Sequence, residues 1–188
     1  KKPRFFSTMD LTKGFWQIPI AREDRKYFAF STGTMHVEYN VMPMGAINSS
    51  ATMQALMALI LRGLPAEHII CFLDDILVAS ATMEDHITHL DLVLGAIRRA
   101  GLKLNAKKCL FAQDVVSCLG HRLSREGISP DPHNLNKIEK WTPPRSRTEV
   151  RQFLGLTGYY RQMIAGYAAI ASPLTNLTKL DTEWKWTD

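Results

Sequence analysis

"IICFLDDILVAS" (residues 69–80) sets two adjacent aspartates in the middle of an apolar, strand-like run. Ile69, Ile70, Phe72 and Leu73 lead in, and Ile76, Leu77 and Val78 lead out. Neighbouring carboxylates repel each other, and burying them unpaired is costly. One reading is a hairpin turn, since Asp is at home in a two-residue loop between antiparallel strands. The other is a divalent-metal site, in which the cation offsets the repulsion. The second reading demands a third ligand from elsewhere in the chain.

Upstream, "FSTMDLTKGFWQIPI" (residues 6–20) reads as a strand ending at Asp10 and breaking at Gly14. If this strand lies beside the Asp74–Asp75 hairpin in one sheet, Asp10 comes within reach of the pair. Three carboxylates would then hold two Mg²⁺ ions, with Mn²⁺ as the alternative, ~3.5–4 Å apart, the arrangement used for in-line phosphoryl transfer.

The rest of the chain is compatible with such a site. At 188 residues it is one large domain or two small ones, and 46% hydrophobic with 22% charged residues is a globular composition. No apolar run approaches the ~20 residues of a membrane span, so no membrane partner is expected. "KKPRFFSTMD" has neither an initiator Met nor a signal peptide, which suggests a start inside a larger intracellular protein. Cys71, Cys109 and Cys118 are odd in number and irregularly spaced, against a disulfide framework. The net charge of +5 is unevenly spread. Residues 1–30 carry seven basic and three acidic groups, residues 31–97 one and seven, and residues 98–125 seven and one. The acidic block that holds Asp74 and Asp75 is thus flanked by basic segments, as expected of solvated faces or of a polyanion track beside a metal site.

Downstream of the first motif, two short strands are expected around the turn at Thr32–Thr34. A helix from about Ser50 to Arg62, capped by Asn48 or Ser49, is apolar nearly all round and reads as a buried core helix. Thr82 with Asp85 is a capping box opening a second helix, whose apolar stripe is Ile87, Leu90, Leu94 and Ile97. Strands are expected near Leu102–Leu104 and Val115–Arg122, with a turn at Glu126–Gly127. Asp131–Pro132 opens a helix. Ser146 with Glu149 opens another, and a last helix runs through Ser172–Leu180. His86 and His89, beside Asp85, read as a solvated helix start or a zinc pair. Cys109, Cys118 and His121 read as buried thiols or a metal set. The order indicates an α+β fold: residues 1–128 strand-rich with packing helices, residues 129–188 a small all-α unit.

Five segments in order resemble the reverse transcriptase of gypsy-type long-terminal-repeat retrotransposons over essentially the whole chain. "FSTMDLTKGFWQIPI" resembles its first catalytic motif, and "VMPMGAINSSATMQ" the template-and-nucleotide motif. "FLDDILVAS" resembles the aspartate pair, with Phe72 where Tyr is usual. "CLGHRLSREGISPD" is similar to the primer-gripping hairpin and "TEVRQFLGLTGYYRQMI" to the thumb. The resemblance implies a palm of antiparallel sheet packed on helices, with part of the fingers, over residues 1–128. A helical thumb and the start of the connection would follow over 129–188. The implied activity is RNA- and DNA-directed DNA synthesis, transferring nucleotides from dNTPs to a primer 3′-hydroxyl on an RNA or DNA template.

Carried over by motif, Asp10, Asp74 and Asp75 are the metal carboxylates, with Asp74 favoured as direct ligand by strand alternation. Leu11, Phe15, Met44 and Gly45 would meet the dNTP, Phe15 as the ring that excludes a ribose 2′-hydroxyl. Phe72, Leu73, Leu119, Gly120, Gly155 and Tyr159 would meet primer and template. Lys108 would be the general acid for pyrophosphate. Met44, Ser50 and Tyr27 depart from the usual Phe, Pro and Thr without touching a metal ligand. The fingers strands with triphosphate-binding residues, and the RNase H, integrase and protease parts of the Pol polyprotein, would lie outside residues 1–188. A cytoplasmic virus-like particle is the implied location. Two rivals remain: a catalytically inactive remnant that binds RNA–DNA hybrid, and an RNA-making palm polymerase, against which Phe15 argues.

Overall fold

A computed structural model describes residues 2–186; Lys1, and the end of the expected thumb at Thr187–Asp188, lie outside the described residues. The strands are β1 (Phe5–Asp10), β2 (Ala29–Ser31), β3 (His36–Glu38), β4 (Ile69–Phe72), β5 (Asp75–Ser80), β6 (Leu110–Gln113), β7 (Val115–Cys118), β8 (His121–Ser124) and β9 (Gly127–Pro130). The α-helices are α1 (Ser49–Ile60), α2 (Met83–Arg99), α3 (Pro132–Glu139), α4 (Arg147–Gly158) and α5 (Tyr167–Leu177). This is the α+β class expected from the sequence.

The apolar runs around the aspartates make a four-stranded antiparallel sheet in the order β4-β5-β1-β6. Residues directly opposite in an antiparallel pair share a face. Met9 faces Ile76 and Ser7 faces Val78, so this face joins Met53 and Met57 of α1 with Val93 and Ile97 of α2 in the main core. On the other face Phe6 and Leu77 pack with Val116, next to Ala79, Cys118 and Leu123. Each such apolar side chain contributes about 1.5–3 kcal/mol when fully buried. β2 and β3 form a separate hairpin, and the third sheet has the order β7-β8-β9.

Several expectations are corrected. α1 is not buried all round: Met53 and Met57 are fully covered, but Leu59 is 57% exposed, because only one side of the helix meets the sheet. On α2 the buried line is His86, Val93, Ala96 and Ile97, while Ile87 and Leu94 face outward. Leu102–Leu104 is not a strand but a single bridge from Leu104 to Leu11. The strand at the sheet edge is Leu110–Gln113, and Val115–Arg122 folds back on itself at Leu119–Gly120. α5 starts at Tyr167, five residues before the expected start, with Pro173 inside it.

His86 is neither solvated nor half of a zinc pair. It is fully buried and hydrogen-bonded between two buried serines. The Ala112 N–H donates to Ser7 Oγ at 2.9 Å, where β6 bulges against β1. The Ser7 hydroxyl is then free to donate to His86 Nε2, 2.7 Å away. That leaves the ring proton on Nδ1, directed at Ser80 Oγ at 3.0 Å. Ser80 in turn donates to His89 Nδ1 at 2.8 Å. This chain of donors closes only with a neutral His86, and burial, then the charge of His89, hold its pKa below the usual histidine value.

The chain divides into two units, one of residues 1–118 with 123–127 and one of residues 119–122 with 128–188. In the second, Asp131 Oδ1 accepts the His133 N–H at 2.8 Å and Ser146 Oγ the Glu149 N–H at 3.2 Å, as their capping patterns indicate. The Tyr167 and Thr157 hydroxyls lie 2.9 Å apart and Ala171 is buried, which docks the first half of α5 on α4 despite Pro173.

The depressed His86 pKa makes stability pH-dependent. The unfolded chain takes up the proton first as pH falls below about 6.5, so the contribution is complete above that pH and lost below it. His86→Gln should cost about 1–3 kcal/mol at pH 7.5. Urea denaturation at pH 7.5 and 5.5 should also show a smaller acid loss in the variant than in the wild type. Equal losses would remove His86 from the account.

Candidate active site

The hairpin reading and the metal reading of the aspartate pair meet in one geometry. Phe72 pairs with Asp75 to close β4 and β5, so Leu73 and Asp74 are the two turn residues. The β1–β5 register then sets Asp75 directly opposite Asp10, on the face that carries Phe6 and Leu77. Asp74, outside the ladder, lies instead against Gly14, where a Cβ would come within 3.0 Å of the Asp74 Cβ and 3.4 Å of its Oδ2. The Leu11 N–H donates to the Asp74 carbonyl at 3.3 Å. It is Asp75, not Asp74, that the pairing sets across from Asp10.

The like charges are felt. Asp75 is exposed as a residue, yet partial burial of its carboxyl, then Asp74 and Asp10, push its pKa up, with Lys108 pulling the other way. Cys71 is pushed up to about 11 by burial and the two aspartates, so its thiol is inert as a nucleophile. Lys108 Nζ reaches Asp10 Oδ2 at 3.2 Å, an exposed ion pair. Its segment is tied to β1 by two residues absent from the sequence-based set. The Asn105 N–H donates to the Asp10 carbonyl at 2.8 Å. Gln17 donates to the carbonyls of Thr12 and Lys103 at 2.8 and 3.0 Å and accepts the Lys103 N–H at 2.7 Å. The polar Gln17, in a 3-10 helix between apolar neighbours, is the signal that could have marked it.

Around this centre, Phe15 is half-buried against the main core, in the turn that Gly14 opens. Leu11 is fully buried, with its N–H taken up by the Asp74 carbonyl. Met44 is 66% exposed, and Gly45 beside it has φ 86°, which favours glycine. Phe72 is exposed, while Leu73 packs on the core with φ 55°.

In the second unit the predicted primer residues converge, Gly155 excepted. Leu119 and Gly120 both have positive φ, 48° and 72°, the pattern of a tight primed turn. Tyr159 donates its hydroxyl to the Leu119 carbonyl at 2.5 Å, and Tyr160 donates to the Gly120 carbonyl at 2.8 Å. Asn134 Nδ2 donates to the Tyr160 hydroxyl at 3.0 Å, and the His121 ring stacks on Tyr159. A Cβ on Gly120 would come within 3.2 Å of Asn134 and 3.3 Å of the Tyr160 hydroxyl, so the turn is held closely. Gly155 lies one turn before Tyr159 on the exposed side of α4.

Among the described residues no three Asp, Glu, His or Cys side chains already form a metal-holding group, which also leaves the zinc readings without support. The donor chemistry nevertheless fits a hard divalent cation. Asp10, Asp74 and Asp75 offer only carboxylate oxygens, and the repulsion that raises Asp75 is what a cation relieves.

Known proteins are similar to this chain in sequence and in fold. Residues 1–123 match the family "Reverse transcriptase (RNA-dependent DNA polymerase)". The chain is 41% identical over 186 residues to the retrovirus-related Pol polyprotein from transposon 297 of Drosophila melanogaster, covering 97% of the chain and 18% of that polyprotein. It is 35% identical over 182 residues to the transposon Tf2-3 polyprotein of Schizosaccharomyces pombe, covering 97% of the chain and 14% of that protein. Among solved structures, a foamy viral protease-reverse transcriptase in complex with double-stranded DNA matches with TM-score 0.90 and 28% identity, over 100% of the chain and 33% of its own length. The same type of protein with an RNA/DNA hybrid matches with TM-score 0.86 and 28% identity, over 100% of the chain and 26% of its own. The chain thus spans a third or less of each.

The raised Asp75 pKa gives a test of the charge cluster. A folded-state pKa above the unfolded value makes the ionised carboxylate unfavourable once pH exceeds that window, so neutralising it should stabilise the metal-free protein at pH 7. Asp75→Asn should melt at the same temperature as the wild type or higher in the presence of a chelator. Added Mg²⁺ should raise the wild-type melting temperature more than that of the variant. A variant that melts several degrees lower in chelator would contradict the repulsion.

Proposed function

The chain belongs to the reverse transcriptase (RNA-dependent DNA polymerase) family, and we propose that it carries the nucleotidyl-transfer centre of a retrotransposon DNA polymerase of the gypsy type. In this reading residues 1–128 are the palm with part of the fingers and residues 129–188 the thumb. The single observation that supports it is Asp10 opposite Asp75, with Asp74 in the adjoining turn.

Asp10, Asp74 and Asp75 would hold two Mg²⁺ ions, which supply neutralising charge for in-line attack of a primer 3′-hydroxyl on the dNTP α-phosphate. The 3′-hydroxyl gives up its proton to solvent, and a new O–P bond forms as the bond to pyrophosphate breaks. Phe15 lies beneath the dNTP sugar and fills the space a 2′-hydroxyl needs. Gly45 and the exposed Met44 side chain border the nucleotide pocket, and the buried Leu11 supports it by holding the Asp74 carbonyl. Phe72 and Leu73 rest against the primer end; Leu119, Gly120, Tyr159 and Gly155 follow the duplex backbone. Lys108, held at Asp10, keeps a proton near the leaving pyrophosphate. The foamy viral relatives are described with double-stranded DNA and with RNA/DNA hybrid, which supports primer–template as partner. The long polyprotein relatives, and the protease joined to reverse transcriptase in the foamy viral ones, support further parts in the same precursor, and protease, RNase H and integrase are the neighbours this reading assigns. No described helix is long and apolar enough to cross a membrane.

The test is primer extension on RNA and DNA templates by the complete polymerase that contains this chain. Extension should require Mg²⁺, and Asp74→Asn should abolish it without loss of fold. Wild-type extension by that variant would sink the assignment. Binding of hybrid with no extension by the wild type would favour the inactive remnant. In the same assay Phe15→Val should raise ribonucleotide relative to deoxynucleotide insertion at least about tenfold, or about 1.4 kcal/mol of lost discrimination. An unchanged ratio would make Phe15 a core residue only.

A further inference from the structure

α1 is apolar through most of its length, yet Gln54 interrupts it between Met53 and Ala55. Its carboxamide is taken up by the aspartate hairpin. Gln54 Oε1 accepts the Leu73 N–H at 2.8 Å, and Gln54 Nε2 donates to the Cys71 carbonyl at 3.4 Å. These two backbone groups flank Phe72, at the point where β4 ends and the turn begins.

The turn needs such a hold. Leu73 sits at φ 55°, a left-handed conformation that strains an L-residue. In an extended conformation at Leu73, Asp74 would swing away from Gly14 and the Asp75–Asp10 pairing would lose its closing turn. The hydrogen bond from the Leu73 N–H to Gln54 offsets the strain, because a half-buried amide without a partner would add a further cost. Gly14 completes the fit, since any side chain there would collide with Asp74.

The same helix holds a second element of the site. At its first turn the buried Ser49 Oγ donates to the Pro43 carbonyl at 2.9 Å, immediately before Met44 and Gly45. Ser49 and Gln54 are five residues apart on a continuous α-helix, about 7.5 Å along its axis. One rigid rod thus carries the nucleotide loop at one end and the aspartate turn further along.

We propose that Gln54 is a positioning residue, which locks the Leu73–Asp74 turn in its left-handed form and so aims the aspartates at the reacting phosphate. Its catalytic consequence rests on the polymerase reading; its effect on the turn does not.

Gln54→Met separates the two, because it keeps the length and apolar packing of the side chain and removes the amide. In the 188-residue chain, hydrogen exchange at the Leu73 amide should speed up at least tenfold, with the Ile76 and Val78 amides unchanged. In the complete polymerase, kcat at saturating dNTP should fall at least tenfold and the Mg²⁺ concentration for half-maximal rate should rise at least threefold. KM for primer–template should stay within twofold, which general destabilisation would not produce. Unchanged exchange at Leu73 would overturn the proposal, as would faster exchange with kcat and Mg²⁺ dependence intact. If the wild-type polymerase extends no primer, the polymerase reading fails on its own, and the exchange result still decides whether Gln54 holds the turn.

Discussion

The pairing of β1 with β5 decides which side chains share a face, and the site depends on it. In the observed register Asp10 meets Asp75 while Met9 meets Ile76 and Ser7 meets Val78. A slip of one residue would turn one strand's set, Met9 of β1 or Ile76 and Val78 of β5, out of the main core and part the carboxylates at the same time. The core therefore specifies the register for reasons of burial alone, and the carboxylate arrangement follows from it. Ser7 adds a polar lock to the same choice, since only this register places it between His86 and the Ala112 N–H.

Against that framework the site is locally unfavourable. Three carboxylates gather where burial and mutual repulsion raise Asp75, and the neighbouring Leu73 holds a strained backbone angle. Stability alone would be better served by an Asn or Gly at these positions. Such conflicts between local preference and the fold are where function is expected. Lys108 offsets part of the repulsion, but its ion pair with Asp10 is exposed, and exposed pairs contribute about 1 kcal/mol at most.

Much of this was legible in the sequence, because it rests on local chemistry. The aspartate hairpin, the β2–β3 turn and the caps at Thr82, Asp131 and Ser146 are short-range patterns, and the structure keeps them. The three carboxylates and the Leu119–Gly120 turn with Tyr159 could likewise be named in advance. What misled was tertiary. Helix α1 looked buried all round because its composition is apolar, but composition does not say how many neighbours cover a helix. His86 looked like a solvated residue at a helix start. Its burial depends on Ser7, 79 residues away in sequence, as well as on the nearby Ser80. The sequence starts the last helix at Ser172, whereas the contacts of Tyr167 and Ala171 with the second unit's core begin α5 earlier and carry it through Pro173. The roles of Gln54 and Gln17 are hard to name in advance for the same reason, since an amide's role is fixed by the distant backbone it reaches, and Asn105 meets Asp10 through its own backbone N–H.

The most direct measurement of the central claim is the number of divalent ions the three carboxylates hold in a poised complex. Calorimetric titration of Mn²⁺ into the complete polymerase, bound to a dideoxy-terminated primer–template and the matching dNTP, counts them without turnover. Two ions should bind to the wild type, and Asp10→Asn should lose at least one while still binding primer–template. The same stoichiometry and affinity in Asp10→Asn would contradict the account, because the residue that β1 places opposite Asp75 would then hold no metal.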